Sequence, residues 1–349
     1  MVLFFVSPIG LGHASRSIAI MNKLNLNRKN SFVSGSSACE FIKNNGYNVL
    51  NRYNPPKFDV KDGTLQHSFI WLLRYLFYYK NCKKIASEII SKCNDENMIV
   101  SDEDFASLVV AEKLKKKRIL ITDITNTSFT SGFLASLVER KMNEQMNKII
   151  KSCDCVIIPD LGQDKDNIRY VGPIVRETTK GRDELRHEFG FDKKTIVVSV
   201  GGTESGKYLL DKMIITWRKI NKSFDIDLVV ISGPSLQIPL SNDYKNIGYV
   251  NNLHEYIFAA DLVVSLAGRS TMDEALVYGT PGIFIPIKDH FEQEHGAKRQ
   301  GYEYKDIFRL EEIILKIIKS DFKRNNTGYN NYAFNRGAIN AAKIISEFL

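Results

Sequence analysis

Short apolar runs rich in β-branched residues recur along the chain, each followed by a stretch long enough for a helix. Continuous runs of this kind are typical of parallel strands that are buried on both faces. Two series of strands are predicted, at 2–6, 32–34, 98–101, 119–122 and 156–159, and then at 196–200, 228–232, 262–265 and 283–286. Strands alternating with helices in this way predict the doubly wound α/β fold, and the pattern occurs twice.

The chain of 349 residues is longer than the ~250–300 residues at which single hydrophobic cores stop growing. We therefore predict two Rossmann-like domains, residues 1–165 and 166–330, with a C-terminal helix in 331–349 that packs back toward the N-terminal domain. Ligands of open α/β sheets bind beyond the carboxyl ends of the strands. Two such domains are expected to face each other across a ligand-binding cleft.

Composition excludes several classes of protein. The net charge of +8 comes from basic residues spread along the chain without an arginine-rich arm, so nucleic acid is not expected as a partner. The N-terminus lacks the pattern of a signal peptide, and the five cysteines contain no CxxC pair. Free thiols without a secretion signal predict a cytoplasmic protein.

A glycine-rich turn, IGLGHASR, follows the first predicted strand. Gly10 and Gly12 permit a sharp turn and leave room for a ligand, and amides that open the next helix attract anions. The third glycine of the dinucleotide fingerprint is missing, which disfavours a nicotinamide cofactor. His13 is at the helix start, where it either moves a proton in catalysis or caps the helix.

Two turns in the C-terminal half repeat the order of strand, glycine and helix. In residues 201–206, amides such as that of Gly202, with the Thr203 hydroxyl, suit a phosphate or diphosphate, although an ordinary turn is the alternative. In the second turn, helix-start amides and hydroxyls suit phosphate oxygens, and the acidic and amide side chains that follow suit sugar hydroxyls. The residues of this second group are Gly268, Arg269, Ser270, Thr271, Glu274, Glu292 and Gln293.

The segment AGRSTMDEALVYGTPGIFIP, residues 267–286, resembles the donor-binding segment of nucleotide-sugar glycosyltransferases with the GT-B fold, in particular the MurG-like group of family 28. IGYVNNLHEYIFAAD resembles the stretch that reads uracil in that group, and YVGPIVRE resembles its interdomain segment. GLGHASRSIAI is similar to the group's acceptor-side glycine loop. The resemblance implies an N-terminal acceptor domain and a C-terminal donor domain.

The resemblance also implies roles for single residues. Glu274 would bind the uridine ribose, Ser270 and Thr271 the diphosphate, and Gln293 with Glu292 or Glu294 the donor sugar. The uracil would lie near Tyr249 and Val250, and the guanidinium of Arg176 near the diphosphate. In the acceptor-side loop, the form Gly10-Leu11-Gly12-His13 with Arg16 is closer to uncharacterised archaeal and bacterial MurG-like proteins and to a nucleotide-sugar hydrolase.

Asp102-Glu103-Asp104 has the form of an Asp-x-Asp manganese site, which the other main glycosyltransferase fold uses. That fold holds its metal in the donor half, whereas the donor signatures here are C-terminal, so no metal is expected. Related plant enzymes have a His–Asp dyad, and by this resemblance Asp102 or Asp104 orients and charges His13. The alternative is a helix N-cap made by the acidic residues.

The most apolar stretch, residues 69–79, is much shorter than the ~20 residues that span a bilayer. It falls where MurG-like enzymes have an apolar surface beside the acceptor site. Phe69, Trp71, Leu72 and Arg74 are therefore expected to contact the membrane, with a core helix as the alternative.

Together these features predict an inverting, metal-independent glycosyltransferase without a cofactor. It would move a hexose or N-acetylhexosamine, UDP-N-acetylglucosamine being one donor that the resemblance favours, from a UDP-sugar to a lipid-linked or glycolipid acceptor. Peripheral association with the inner face of the cell membrane is expected. The alternatives are a nucleotide-sugar hydrolase or epimerase of similar fold, and a non-catalytic donor-binding subunit.

Overall fold

The computed structural model describes residues 2–24, 31–66, 69–93, 98–128, 133–201, 204–234, 236, 238, 243–324 and 336–349. The chain divides into two compact units. Unit 1 comprises Met1–Phe58, His67–Val175 and Asn335–Leu349, and unit 2 comprises Asp59–Gln66 and Arg176–Phe334. A short piece of the N-terminal half of the sequence, Asp59–Gln66, thus belongs to unit 2.

The elements of the described residues are numbered in chain order. The strands are β1 (Val2–Val6), β2 (Ser31–Gly35), β3 (Asn48–Tyr53), β4 (Val60–Lys61), β5 (Thr64–Leu65), β6 (Met98–Asp102), β7 (Arg118–Ile121), β8 (Cys155–Ile158), β9 (Ile168–Tyr170), β10 (Lys194–Ser199), β11 (Ile226–Ile231), β12 (Lys245–Gly248), β13 (Leu262–Leu266) and β14 (Gly282–Ile285). The helices are α1 (Gly12–Met21), α2 (Ser36–Asn44), α3 (Phe69–Ile90), α4 (Phe105–Lys113), α5 (Phe133–Ser152), α6 (Arg182–Phe189), α7 (Lys207–Ile220), α8 (Leu253–Ala259), α9 (Arg269–Tyr278), α10 (Phe291–Arg299), α11 (Leu310–Lys319) and α12 (Gly337–Glu347).

In unit 1 the described strands form a parallel sheet in the order β3-β2-β1-β6-β7-β8-β9. The chain builds outward from β1 to β3 and then returns to place β6 on the other side of β1. The direction of winding therefore reverses between β1 and β6, and ligands of doubly wound sheets bind at such a switch point. Val6 pairs with Asp102 there, so the turn after β1 and the end of β6 share one sheet edge.

Unit 2 repeats this plan with a parallel sheet in the order β12-β11-β10-β13-β14. Its winding reverses between β10 and β13. The turn after β10 and the turn after β13, which are the two glycine-rich turns of the C-terminal half, therefore start from neighbouring strands at the switch point.

Buried strands and amphipathic helices form the core of each unit. Every residue of β1 is buried. On one side of the unit 1 sheet, α3 and α4 contribute Ile85 and Ala106 to the apolar cluster that contains Phe5. In unit 2, α7 and α11 cover the sheet with side chains such as Trp217 and Ile314. The prediction of doubly wound α/β architecture in both halves is confirmed.

The C-terminal helix α12 packs against α1 within unit 1. Its first residue, Gly337, lies so close to the preceding chain that a Cβ there would be 2.0 Å from the carbonyl oxygen of Pro173. Asn340 donates a hydrogen bond of 3.3 Å to the carbonyl of Val171. These contacts fix the helix against the segment that follows β9.

None of the helices in the described part of the chain combines the length and the apolar character that crossing a bilayer requires.

Candidate functional site

At the switch point of unit 1, His13 and Asp102 are in direct contact. The Nδ1 atom of His13 lies 2.9 Å from Oδ1 of Asp102, whose side chain is fully buried. The same carboxylate accepts hydrogen bonds from Arg16 Nη2 at 2.6 Å and from Ser17 Oγ at 2.8 Å. Arg16 Nε lies within 3.0 Å of both carboxylate oxygens, so the pair has a forked geometry.

These contacts decide the charge of Asp102. Burial alone would raise the pKa of its carboxyl group, but the guanidinium of Arg16 and the ring of His13 outweigh burial and lower it. The same carboxylate raises the pKa of Arg16 well above its usual value, against the effect of burial. Asp102 is therefore an ionised acceptor that fixes the orientation of the imidazole ring.

Glu103 approaches the other ring nitrogen. Its Oε2 lies 3.7 Å from Nε2 of His13, and its Oε1 accepts hydrogen bonds from the Thr122 hydroxyl at 3.1 Å and the Asp123 amide at 3.2 Å. The backbone at Glu103 has a φ of 54°, in the left-handed region that a glutamate rarely adopts. Burial, and then the charge of Asp123, raises the pKa of Glu103 to about 8.

The surroundings of His13 favour the imidazolium. Burial lowers its pKa, but the charge of Glu103 and the hydrogen bond and charge of Asp102 together raise it to about 9. Arg16 opposes that shift with a smaller effect. Without a ligand, His13 is thus protonated at neutral pH and must lose that proton before it can act as a base.

Asp104 has a different partner set from Asp102. It is the N-cap of α4, where its Oδ1 accepts a hydrogen bond of 3.2 Å from the amide of Ala106, and its Oδ2 accepts one of 2.6 Å from the Tyr53 hydroxyl. Of the two candidates for the partner of His13, the structure places only Asp102 against the ring, so the Asp104 alternative is wrong. The helix-cap interpretation of the acidic stretch is confirmed for Asp104.

The glycine turn before His13 has the expected form. Gly10 has a φ of 78°, and a Cβ there would meet no heavy atom within 4 Å, so the turn borders open space. Gly12 is the first residue of α1, whose N-cap residue is Leu11 with no side-chain hydrogen bond. His13 therefore does not cap α1. Within the described ranges, no group of three or more His, Cys, Asp or Glu residues is arranged to hold a metal ion.

In unit 2, α9 starts directly after β13 at the switch point. Gly268 is its N-cap residue and makes no side-chain cap, so the first amides of α9 are not capped from that position. Arg269 binds both carboxylate oxygens of Asp273, with distances of 3.0 and 2.8 Å from its Nε. Ser270 and Thr271 lie half-buried in the first turn. Amides at the start of a helix are a general type of anion-binding group, which is the role predicted for this turn.

Arg176 joins Glu274 to the segment after β12. Its Nη2 lies 3.6 Å from Oε1 of Glu274, and its Nη1 donates a hydrogen bond of 2.5 Å to the carbonyl of Asn251. The hydroxyl of Tyr249 donates to the Asn251 side chain at 2.9 Å, and Val250 between them is half-buried. The structure thus brings together Arg176, Glu274 and the segment predicted to bind uracil.

Burial sets the protonation of Glu274. Desolvation raises its pKa to about 7, while the guanidinium of Arg176 works in the opposite direction. The ionised carboxylate accepts hydrogen bonds on both oxygens, whereas the protonated carboxyl group has an O–H donor on one of them.

Two of the residues predicted to bind the donor, Gly202 and Thr203, lie outside the described residues. Two others, Glu292 and Gln293, lie at the start of α10. Glu292 is half-buried in the first turn of α10, and Gln293 accepts a hydrogen bond of 3.0 Å on its Oε1 from the amide of Ile287. Glu294 accepts one of 3.1 Å from the amide of Asp289. The side chains at the start of α10 therefore hold the loop that precedes it.

The helix predicted to contact a membrane, α3, exposes a different set of residues from the one expected. Leu72 is 2% exposed, so its predicted contact with a membrane is wrong. Trp71 is half-buried and stacks between Phe58 and Tyr75, with ring centroids 4.9 and 5.4 Å away. Arg74 is exposed as expected, and the side chain of Phe69 lies outside the described residues. Among the described side chains of α3, the exposed apolar ones are Ile70, Leu73 and Phe77, which share one helix face.

Two features of the unit 1 site were not predicted from the sequence. They are the presence of Asp123 and the contact of Glu103 with His13. Asp123 follows β7 at the same sheet edge as Asp102, and it lies 3.3 Å from Arg16. A search for acidic residues directly after neighbouring strands would have found it.

The C-terminal half of the chain matches a known family. Residues 195–333 match the model of the glycosyltransferase family 28 C-terminal domain. An uncharacterised glycosyltransferase of Methanosarcina acetivorans is 25% identical, over 91% of this chain and 89% of that protein. The UDP-N-acetylglucosamine–N-acetylmuramyl-(pentapeptide) pyrophosphoryl-undecaprenol N-acetylglucosamine transferase of Clostridium perfringens is also 25% identical, over 92% of this chain and 89% of that protein. This chain is a glycosyltransferase that is similar to the MurG-like group and carries a match to the family 28 C-terminal domain.

The fold of the glycosyltransferase agrees with this assignment. The crystal structure of MurG from Acinetobacter baumannii is similar with a TM-score of 0.56 and 12% identity, and the similarity covers 99% of both chains. This likeness confirms the prediction of a GT-B fold. The family model and the glycosyltransferase relatives confirm the predicted resemblance to the MurG-like group and the prediction of an enzyme.

Proposed function

We propose that this glycosyltransferase moves a hexose or N-acetylhexosamine from a UDP-sugar to a hydroxyl group of a lipid-linked or membrane-proximal acceptor, with inversion and without a metal ion. The observation that carries the proposal is the 2.9 Å contact between His13 and the fully buried carboxylate of Asp102. A histidine oriented by a carboxylate at a switch point is suited to take a proton from a hydroxyl group. The name of the Clostridium perfringens protein, a UDP-N-acetylglucosamine-dependent transferase, supports this donor class.

In the proposed reaction, neutral His13 accepts the acceptor's hydroxyl proton on Nε2. The acceptor oxygen attacks the anomeric carbon from the side opposite UDP, and the bond from that carbon to the diphosphate oxygen breaks with its electron pair on UDP. Attack from the opposite side inverts the anomeric centre. Asp102, bound to Nδ1, stabilises the imidazolium that forms, and Arg16 holds Asp102 in place.

Unit 2 is proposed to bind the donor. Negative charge builds on the diphosphate as the bond breaks, and donors that are already oriented toward it lower the barrier. The amides at the start of α9 and the guanidinium of Arg176 would supply such donors, and Glu274 would accept hydrogen bonds from the ribose. The full proposed set is Arg176, Gly202, Thr203, Tyr249, Val250, Gly268, Arg269, Ser270, Thr271, Glu274, Glu292 and Gln293.

Peripheral attachment to the inner face of the cell membrane is proposed to use α3. Ile70 and Phe77 are 61% and 73% exposed, and Leu73 lies between them on the same face. Arg74, Lys80 and Lys84 are exposed on the same helix and supply positive charge. An exposed apolar stripe with basic neighbours suits the headgroup region of an anionic membrane.

The first test of the proposal is His13→Ala. We expect transfer to fall by roughly 10²–10⁴-fold, the contribution typical of a general base, while UDP still raises the melting temperature. His187→Ala is the matched control, because His187 is exposed on α6 and should not affect the rate. Transfer near the wild-type rate in His13→Ala, with donor binding intact, would exclude His13 as the base.

The same assay separates the other reactions of nucleotide sugars. Free sugar released from UDP-N-acetylglucosamine without an acceptor would indicate hydrolysis, and a changed sugar still attached to UDP would indicate epimerisation. Either outcome would contradict the proposed transfer to an acceptor hydroxyl if it continued in the presence of every acceptor tested.

A further inference from the structure

The hairpin Asp59–Gln66 lies between β3 and α3 in the sequence, yet it packs within unit 2. Its strands β4 and β5 are antiparallel, with Val60 paired to Leu65. The amide of Gln66 closes the hairpin with a hydrogen bond of 2.8 Å to the carbonyl of Asp59. An element of the N-terminal half of the sequence is thus part of the unit that carries the donor signatures.

The hairpin binds the loop between β14 and α10 through main-chain hydrogen bonds. The amide of Leu65 donates to the carbonyl of Lys288 at 2.9 Å, and the amide of Lys288 donates to the carbonyl of Gly63 at 2.8 Å. Thr64 and Lys288 form a parallel bridge. The side chain of Leu65 is buried.

The same loop is held from its other side by α10. The amide of Ile287 donates to Oε1 of Gln293 at 3.0 Å, and the amide of Asp289 donates to Oε1 of Glu294 at 3.1 Å. Lys288 therefore lies between two residues tied to α10 and is itself tied to the hairpin. A shift of the hairpin would move this loop and, through it, the side chain of Gln293.

The tip of the hairpin also contacts the element that follows the turn after β10. Gly63 has a φ of 73°, and a Cβ there would lie 2.6 Å from Cδ1 of Tyr208 and 3.2 Å from Cε2 of Tyr304. Tyr208 is in the first turn of α7, and its ring stacks on that of Tyr304 with centroids 6.5 Å apart. The hydroxyl of Tyr304 donates a hydrogen bond of 2.9 Å to the carbonyl of Asp62. Only glycine fits this position without displacing a ring.

We propose that the hairpin Asp59–Gln66 is a positioning element for the sugar part of the donor. By fixing the loop before α10, it sets the position of Gln293 and Glu292 and thereby the affinity for the sugar of a UDP-sugar. This inference rests on the proposed function, in which those two residues bind the donor sugar. Among the described residues, the hairpin forms hydrogen bonds with the loop before α10 and with Tyr304, so the sugar side of the proposed donor site is the part that it holds.

The test compares Gly63→Ala with Gly301→Ala in the full-length protein. Gly301 also has a positive φ, 82°, and lies in unit 2, but a Cβ there would meet nothing within 4 Å. The control therefore carries the backbone cost of alanine without the contact with Tyr208. Tyr304→Phe is a milder second variant that keeps the ring but removes the hydroxyl, with its hydrogen bonds to Asp62 and Tyr208.

Affinities for UDP and for UDP-N-acetylglucosamine are measured by calorimetry, together with KM for donor and acceptor. In Gly63→Ala we expect UDP affinity to stay unchanged, while UDP-N-acetylglucosamine affinity and kcat/KM for the donor fall roughly ten- to hundredfold, because a small misplacement of binding groups is costly. KM for the acceptor should stay constant. Tyr304→Phe should shift the same quantities less, and Gly301→Ala should match the wild type.

Two results would overturn the inference separately from the proposed function. If the wild type binds UDP and UDP-N-acetylglucosamine, and Gly63→Ala weakens both equally or neither, the hairpin does not position the sugar site. If the wild type binds neither UDP nor the UDP-sugar, the proposed donor class fails and the inference fails with it. A melting temperature for each variant shows that it is folded.

Discussion

His13 has a carboxylate at each ring nitrogen, and the two carboxylates do different things. Asp102 binds Nδ1 and is itself held by Arg16, so it orients the ring. Glu103 lies 3.7 Å from Nε2, the nitrogen proposed to receive the acceptor's proton. The charge of Glu103 favours the imidazolium, so it controls how much of the enzyme carries a usable base at a given pH.

The pH dependence of kcat/KM for the acceptor follows from this arrangement. Because the pKa of His13 is raised to about 9, and only the neutral ring is a base, we expect activity to rise with pH toward an inflection near 9. In Glu103→Gln the charge that raises this pKa is lost, so the inflection should move to lower pH and relative activity at pH 7 should increase. A pH–rate profile measures both.

Asp123→Asn provides the opposing variant. Asp123 raises the pKa of Glu103, so its removal leaves Glu103 more fully ionised and should move the inflection of His13 upward or leave it in place. If Glu103→Gln leaves the inflection unchanged, Glu103 does not set the protonation of His13.

Asp104 is predicted to act on stability alone. Asp104→Ala removes the N-cap of α4 and leaves the buried Tyr53 hydroxyl without its acceptor, which should cost roughly 1–3 kcal/mol in free energy of unfolding. Asp104→Asn is the control, since asparagine is also a good N-cap. Denaturant unfolding measures the loss. A shift in the pH–rate profile of Asp104→Ala would contradict the separation of Asp104 from Asp102.

Part of this site can be predicted from the sequence. A histidine after the first strand and an aspartate at the end of another are both visible, and doubly wound topology places strand ends at one edge. The pairing of Asp102 with Arg16 and the approach of Glu103 to Nε2 depend on register and on one residue with positive φ. Such geometry leaves no local pattern in the sequence.

At the scale of elements, α3 shows that packing buries some residues of an apolar sequence and leaves others exposed. Leu72 is buried and Trp71 stacks in an aromatic row, whereas Leu73 and Phe77 point outward. The sequence of residues 69–79 is apolar on more than one face, so it does not reveal which face is covered.

This division predicts two classes of variant in α3. Leu73→Ser combined with Phe77→Ser should reduce binding to vesicles that contain phosphatidylglycerol, with little change in melting temperature, because both side chains are exposed. Leu72→Ala should instead cost about 2–5 kcal/mol of stability, as large-to-small changes in cores do. Vesicle sedimentation that is equal for the wild type and the double variant would contradict the membrane proposal.

Three strands that were not predicted from the sequence lie at the edges of the two sheets. β3, β9 and β12 are edge strands in which nearly every residue is exposed or only half-buried, so they lack the continuous apolar run that identifies buried parallel strands. The nine predicted strands all exist, with ends that differ by a residue or two. Burial on both faces produces the readable pattern: the edge strand β14 is mostly buried and was predicted, whereas the less buried edge strands were not.

At the scale of the whole molecule, nucleotide binding should stabilise the protein in a pH-dependent way. A ligand that binds only the folded state raises the melting temperature. The pKa of Glu274 is raised to about 7, and the ribose requires its ionised form, so UDP should stabilise more at pH 8 than at pH 6. In Glu274→Gln the dependence on pH should vanish. A thermal shift that is the same at both pH values in the wild type would argue against ribose binding by Glu274.

The packing of the hairpin Asp59–Gln66 within unit 2 affects how chimeric enzymes can be designed. A chimera that exchanges the donor domain through a single junction would be joined between Val175 and Arg176. A graft made at that junction would bring a new loop before α10 against the host's own Asp59–Gln66. Transferring the donor-sugar preference to another enzyme would therefore require Asp59–Gln66, from the N-terminal half of the sequence, to be exchanged together with the donor domain.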